Sequence, residues 1–554
     1  MLPHSGVTTS PPTTSTIPVD IRRFPWLRRL VSDYAFEYQR LSEFYAGDPR
    51  DPAAWRDSLA RVRRNPRARD RVADLLLAQQ KARNAAPEAV AASALLRDPQ
   101  TVAVVTGQQA GLFGGPLFTL LKALTALRLA EQASQQHGTP TAAIFWIDAE
   151  DHDWDEVKSC GVLDADMAFR SIAVGDPPGA QEVAVARVRL DSSVTRVLSE
   201  LEELLPGTEF TADLLSGLRR AYQPGVGMAD AFARWLESLL GPRGLVVFNS
   251  ADPASKPLLA DLFAREIEQA GTTSRLASEA GSALQALGYH AQATPTASSL
   301  ALFHLNAGRD AIRVESGDRF VIGAETVTRA ELLAQVRERP EMFSPSVLLR
   351  PIAQDTLFPT ICYVSGPSEL AYLGQLKAAY AAFAVPMPLI AQRATVTILD
   401  SNSMRFLLRH EVPLERLRAQ DEAALNDLLG ARLPPAVDSS LDRASRAIES
   451  EMQTLIGAVG SLDPTLQGAA RSTLTRMQDD LRKLQAKIIQ AAKRKDDTLR
   501  RQFHHAQGQA FPGGQPQERQ AGIVYFLNKY GPALIERLSD ALPGEAGIHQ
   551  VLTV

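Results

Sequence analysis

Residues 101–130, TVAVVTGQQAGLFGGPLFTLLKALTALRLA, constrain this chain more than any other stretch. A β-branched apolar run, 102–105, turns through Gly107, Gly111, Gly114 and Gly115 and leaves through Pro116 into a long apolar-rich helix. The run has the length and composition of a buried strand, and proline suits the first turn of a helix, where its missing N–H costs nothing. A second buried run, AAIFWI at 142–147, follows one helix later. Two strands joined by a helix of this length make a βαβ crossover, parallel and right-handed. The chain is therefore an α/β protein built on an open parallel sheet. Ligands gather at the carboxyl ends of such strands, and the amides at the helix start are expected to favour an anion or a polarised oxygen.

Further stretches extend this core. GLVVFN at 244–249, TICYV at 360–364 and 387–391 read as additional core strands. Alternating runs, VAVARVRL at 183–190 and then SLALFHL and AIRVESGDRFVIG within 289–330, suit antiparallel strands. Residues 289–350 are expected to form a largely antiparallel insertion beside the parallel core. Segments 26–45 and 69–85 are helical in pattern and are expected to cover one side of the sheet. Beyond Pro435 the pattern becomes long polar helices. Leu441, Ile448, Met452, Leu455, Val459 and Leu462 keep a 3/4 spacing with Ser445 filling one slot, and Leu474, Met477, Leu481, Leu484 and Ile488 repeat it after Asp463-Pro464. That predicts an antiparallel helical hairpin with a coiled-coil seam, one that a second copy of the chain is suited to cover. The expected divisions are a disordered leader at 1–19, first core half with N-terminal helices at 20–160, a core strand with insertions at 161–350, second core half at 351–434, the coiled-coil hairpin at 435–505, and a tail at 506–554 that packs on the body.

Composition excludes several classes. With 59 basic and 63 acidic residues the net charge is −4, which argues against a nucleic-acid surface. Two cysteines, Cys160 and Cys362, are too few for a disulfide scaffold and fit reduced cytosolic thiols. No apolar run reaches the roughly 18 residues of a membrane span. The leader lacks the basic start and apolar centre of a signal peptide, so the reading is a soluble cytoplasmic protein without a membrane partner.

The glycine loop carries neither a Gly-Lys-Ser/Thr ending nor a G-x-G-x-x-G spacing, so no standard nucleotide fingerprint is present. It offers instead the adjacent amides Gln108 and Gln109 just past a strand end, and Lys122 two turns into the helix, either snorkelling or facing the cleft. Gly366-Pro367 repeats Gly115-Pro116 after a later strand, with Ser365, Ser368 and Glu369 beside it. After the second strand comes an acid box, with six carboxylates between Asp148 and Glu156 and one histidine, His152. Crowded carboxylates need protons, a metal or a cationic ligand. Three uses follow: binding an ammonium, acting with His152 as a general base, or ligating a divalent metal through Asp151, His152 and Asp153. Arg350, Gln354 and Asp355 are polar groups before a core strand; Arg350 either binds a carboxylate or pairs with Asp355.

These stretches together resemble one family. VVTGQQAGLFGGPLFTLLKALTALRLA, FWIDAEDHDWDEV, GYHAQ, LLRPIAQDTLFPTICYVSGPSELAYLGQLK and FPGGQPQERQAGIVYFLNKYGPALIERL are similar to the BshC family of bacillithiol biosynthesis. The resemblance runs from about residue 20 to the end. It implies a Rossmann-like doubly wound core with inserted connecting domains and a C-terminal coiled coil that makes a homodimer. It implies a ligase joining L-cysteine to the amino group of glucosaminyl malate, with ATP and magnesium inferred as the activating pair. The expected catalytic set is Gln108, Gln109, Glu150, Asp151, His152 and Asp153. The expected substrate-binding set is Gly107, Gly111, Gly114, Gly115, Lys122, Arg350, Gln354, Asp355, Ser365, Gly366, Ser368 and Glu369. A non-catalytic scaffold dimer and a metal-dependent amide hydrolase are the alternatives.

Overall fold

The apolar runs form one parallel sheet of five strands: in chain order, Val102–Gln108, Thr141–Ile147, Val246–Asn249, Thr360–Ser365 and Leu389–Gln392. Across the sheet the order is fifth, fourth, first, second, third, and every neighbouring pair is parallel. The chain winds outward from the first strand and then returns to its other side. The order therefore reverses between the first and fourth strands, the position where open α/β sheets bind ligands. The computed structural model describes residues 15–181, 183–305, 308–430, 435–495 and 497–554.

Side-chain alternation divides the interior into two cores. Val102, Val104, Phe145, Ile147 and Val247 face one, packed under the helix Leu117–His137 and the helix Met228–Leu240. Ala103, Val105, Ile144, Trp146 and Phe248 face the other. Strands covered on both sides need apolar residues at every position, which is why these runs are continuous rather than alternating.

The alternating insertion forms as read. Ser299–His304, Asp310–Ser316, Arg319–Ile322, Glu325–Thr328 and Phe343–Pro345 make a five-stranded antiparallel sheet. The alternation at 183–190 does not. Ser159–Leu163 pairs with Phe169–Ala173, but 183–190 forms no strand, and Val185–Arg187 is a 3-10 turn. Its N–H groups go to the loop after the second core strand, Val185 to the Asp151 carbonyl and Ala186 to the Ala149 carbonyl, each at 2.8 Å. With two of its N–H groups spent on that loop, the segment keeps only a single antiparallel bridge, Arg189 with Gly227. The expected leader also ends earlier, because Ser15–Asp20 is a strand paired with Ile548–Thr553. Residues 1–14 lie outside the described residues.

The chain separates into two compact units, Met1–Ile398 with Gln517–Val554, and Leu399–Pro516. The second unit contains the predicted hairpin, the helices Pro435–Leu462 and Leu466–Lys495. They run antiparallel: Gly460 lies beside Gln467, and Glu449 accepts a hydrogen bond from Gln478. Met452, Ile456 and Leu474 form the seam, with Ile448 and Ala470 against it. Ile456 stands where the heptad reading placed Leu455. Leu455, Leu462, Met477 and Leu484 are exposed instead, between 40% and 83%. Among the described residues no helix is long and apolar enough to cross a membrane.

Candidate active site

A cleft of about 500 Å³ opens where the strand order reverses. The end of the first strand and the start of the Pro367–Leu373 helix form two of its walls. Gly107 is glycine for a steric reason, since a Cβ there would lie 2.8 Å from the Trp146 carbonyl oxygen of the adjacent strand. Lys122 reaches back from its helix and is 1% exposed. It donates to the Gly107 carbonyl, to Gln108 Oε1 at 3.2 Å and to Glu369 Oε2 at 2.5 Å. Glu369 also accepts from the Gly366 N–H at 2.7 Å and the Tyr363 hydroxyl at 2.6 Å. Burial alone would raise the Glu369 carboxyl, but Lys122 and these donors hold it below its ordinary value. Lys122 is thus a buried tie between two walls, not a snorkelling surface lysine.

The acid box does not act as one cluster, because tertiary partners divide it. Asp148 lines the cleft with Arg350 Nε 3.4 Å away, and burial raises it despite that guanidinium. Glu150 turns into the core, 5% exposed, and pairs with Lys256. Asp151 lines the cleft and accepts from Gln109 Nε2 at 2.7 Å. His152 is 56% exposed, with Nδ1 3.4 Å from Asp151 Oδ1, and does not line the cleft. Asp153 caps the short helix Trp154–Val157 by accepting from the Glu156 N–H at 3.1 Å. Asp155 pairs with Lys158. Among the described residues no three His, Cys, Asp or Glu side chains converge as a metal site. Glu156, outside the expected set, lines the cleft, and burial raises its carboxyl.

Two expected substrate contacts lie elsewhere. Gln354 and Asp355 are each 1% exposed in the core. Asp355 accepts from Tyr380 at 2.6 Å and Gln354 at 3.0 Å, and burial pushes its carboxyl up to about 6. Arg350 turns from Asp355 to Asp148 and donates to the Tyr372 hydroxyl. Ser365 is buried with its hydroxyl on the Ala391 carbonyl, while Gly366 and Ser368 reach the cleft.

The helix start after Pro116 is closed. The Leu117 N–H donates to the Ala521 carbonyl at 2.9 Å, Gly115 donates to Leu112, and Gly114 donates to Gly111. Pro116 and Gly522 form an antiparallel bridge, and Ile523 donates to the Gly115 carbonyl. The loop's own carbonyls thus take the Gly114 and Gly115 amides, and Ala521 takes that of Leu117. Gly111 and Gly115 border a smaller cavity beside the cleft, and Gly114 borders neither.

Three arginines that local pattern passed over complete the walls. Arg309, from the antiparallel insertion, stacks 3.9 Å over Phe303 and lies 3.8 Å from Asp151. Arg393 follows the fifth strand and makes a bidentate pair with Glu518 at 2.6 and 3.0 Å. Arg519 lines the cleft and, among the described residues, has no hydrogen bond or ion pair. The position of Arg393 just past an apolar strand was a usable signal. Arg309 and Arg519 sit far from the core strands in sequence and carried none.

A doubly wound parallel sheet with a polar cleft at its reversal point, an antiparallel insertion and a separate helical hairpin define a Rossmann-like protein with a coiled-coil appendage. Residues 16–394 match the family described as bacillithiol biosynthesis BshC, N-terminal Rossmann-like domain, and 396–554 match its C-terminal coiled-coil domain. A Salinibacter ruber protein named "Putative cysteine ligase BshC" is 35% identical over 97% of this chain and 98% of its own length. Proteins of the same name from Chlorobaculum tepidum and Koribacter versatilis are 35% and 32% identical, over 81% and 97% of this chain and 82% and 99% of their own lengths. The chain belongs to the BshC family.

Proposed function

We propose that this chain is a ligase that joins the carboxyl group of L-cysteine to the amino group of glucosaminyl malate, forming bacillithiol. The observation that carries the reading is the Gln109–Asp151 contact of 2.7 Å inside a cleft that also holds Arg350. An attacking amine must lose a proton, and Asp151, fixed by the Gln109 amide, is placed to accept it. The carbonyl oxygen gains negative charge as the C–N bond forms. Gln108 accepts from Lys122 through Oε1, which leaves its amide N–H₂ as the donor for that oxygen. Arg350, oriented by Asp148 and Tyr372, supplies the cation for a malyl carboxylate.

Condensation from a free carboxylate is uphill, and the reading assigns activation to ATP with magnesium. The cleft itself does not fit a triphosphate. The helix-start amides at Gly115 and Leu117 are bonded to protein carbonyls, and Lys122 and Arg393 are already hydrogen-bonded to Glu369 and Glu518. No step is therefore routed through the nucleotide here. The exposed apolar residues of the hairpin support a homodimer in which a second copy covers them.

The test incubates the purified full chain with L-cysteine, glucosaminyl malate and ATP with magnesium and follows bacillithiol and the nucleotide product by mass spectrometry. Turnover by the wild type, with kcat lowered about 100-fold or more in Asp151→Asn, is the expected result. Absence of product from the wild type, or unchanged kcat in the variant, refutes the reading.

A further inference from the structure

A second cavity, of about 320 Å³, lies against the cleft. The two share Gln108, Gln109, Phe118, Glu156 and Arg519. Beyond that shared wall the smaller cavity is bounded by Thr119, Val157, Ser159, Cys160, Phe169 and Ser171. Its floor is close-packed backbone. A Cβ on Gly522 would meet Cys160 Sγ at 2.5 Å, and one on Gly161 would meet the Gln520 carbonyl at 2.2 Å. The Gly522 N–H closes it by donating to the Gly161 carbonyl at 2.7 Å.

Two polar features of this cavity are unsatisfied by the protein. Thr119 is fully buried, and its hydroxyl makes no hydrogen bond. A buried polar atom without a partner costs free energy that a ligand atom can recover. Arg519, on the shared wall, has no hydrogen-bond or ion-pair partner among the described residues, although every other cation on the cleft faces a carboxylate. Glu156 sits on the same wall.

We infer that the smaller cavity is the subsite for a free α-amino acid with a short, weakly polar side chain. The α-carboxylate meets Arg519, the α-ammonium meets Glu156, and the side chain enters toward the Thr119 hydroxyl. Val157, Cys160 and Phe169 are the apolar groups beside it. The carboxyl carbon then lies at the shared wall beside Gln108, facing the larger cleft and the amine to be acylated. This deepens the ligase reading and rests on it for the identity of the amino acid, L-cysteine.

Calorimetric titration of the full chain tests the subsite without turnover, using L-cysteine, cysteamine and 2-aminobutyrate, each with and without glucosaminyl malate. Arg519→Gln is expected to weaken L-cysteine about tenfold or more and to leave cysteamine, which has no carboxylate, within about twofold. Thr119→Leu, which fills the side-chain space, is expected to weaken both. Thr119→Val keeps the volume and serves if the leucine variant does not fold; it is expected to abolish the preference for L-cysteine over 2-aminobutyrate. No heat from L-cysteine in any titration, or variants within about twofold of the wild type for every ligand, overturns the subsite. Binding that follows this pattern without bacillithiol formation refutes the ligase reading and leaves the subsite standing. Turnover with an unmoved KM for L-cysteine in Thr119→Leu does the reverse.

Discussion

Breaking the Arg393–Glu518 pair should loosen the segment that shapes both cavities. Glu518 accepts two hydrogen bonds from the Arg393 guanidinium and one from the Val396 N–H at 3.2 Å. The side chains of Arg393 and Glu518 are 3% and 9% exposed. Burial would raise the Glu518 carboxyl, but Arg393 outweighs it and holds the group below its ordinary value of 4.5. Glu518→Ala leaves a buried guanidinium without a counter-charge and the Val396 N–H without an acceptor. Losing one member of a buried pair costs about 3–5 kcal/mol, whereas replacing both by apolar residues of similar volume is often neutral. The expected outcome in denaturant unfolding is a loss of about 3–5 kcal/mol for Glu518→Ala and for Arg393→Ala, with Arg393→Met/Glu518→Leu within about 1 kcal/mol of the wild type. The sign with pH follows from the depressed carboxyl. Its contribution is present above pH 4.5 and is lost as pH falls through the folded-state value, so the gap between wild type and Glu518→Ala narrows in acid. Single variants within about 1 kcal/mol of the wild type at pH 7 would refute the argument.

Two further outcomes follow from other sites. Glu266 is buried with its carboxyl on Thr273 and the Ala301 N–H, and burial raises it to about 7 from 4.5. The folded state therefore holds the proton more tightly, and stability falls as pH rises from about 4.5 through about 7. Glu266→Gln should raise the stability at pH 8 by up to about 3 kcal/mol and give no gain below pH 4.5; equal melting shifts at both pH values would count against it. If a second copy covers the hairpin, Leu455→Glu/Leu484→Glu should sediment as a monomer where the wild type is a dimer, with unchanged helix content by circular dichroism.

The core strands and the insertion were legible because a two-sided sheet imposes continuous apolar runs and a one-sided sheet imposes alternation. The same rule failed at 183–190, where Val185 and Ala186 give their N–H groups to the 149–151 loop and only Arg189 forms a bridge, to Gly227. Periodicity also placed the hairpin, but it set Leu455 in a seam that Ile456 occupies, since two positions one residue apart fit a 3/4 spacing almost equally well. The cleft was legible at its strand ends, Gln108, Asp148, Asp151 and Glu369. It was not legible at Arg309 or Arg519, which reach it from segments some 200 and 410 residues away from Gln109 along the chain.

By itself the sequence determined the core strands and the kinds of groups carried at their ends. Those depend on local spacing, which a chain carries wherever it folds. Only the tertiary structure decided which charges remain available. Glu150 was claimed by Lys256, Lys122 by Glu369, and the helix-start amide of Leu117 by the Ala521 carbonyl. A charge or an N–H has its chemistry set by what lies within about 3 Å, and those neighbours come from distant segments. The glycine loop thus offers its anion-binding amides to its own chain, and the cation left open is Arg519.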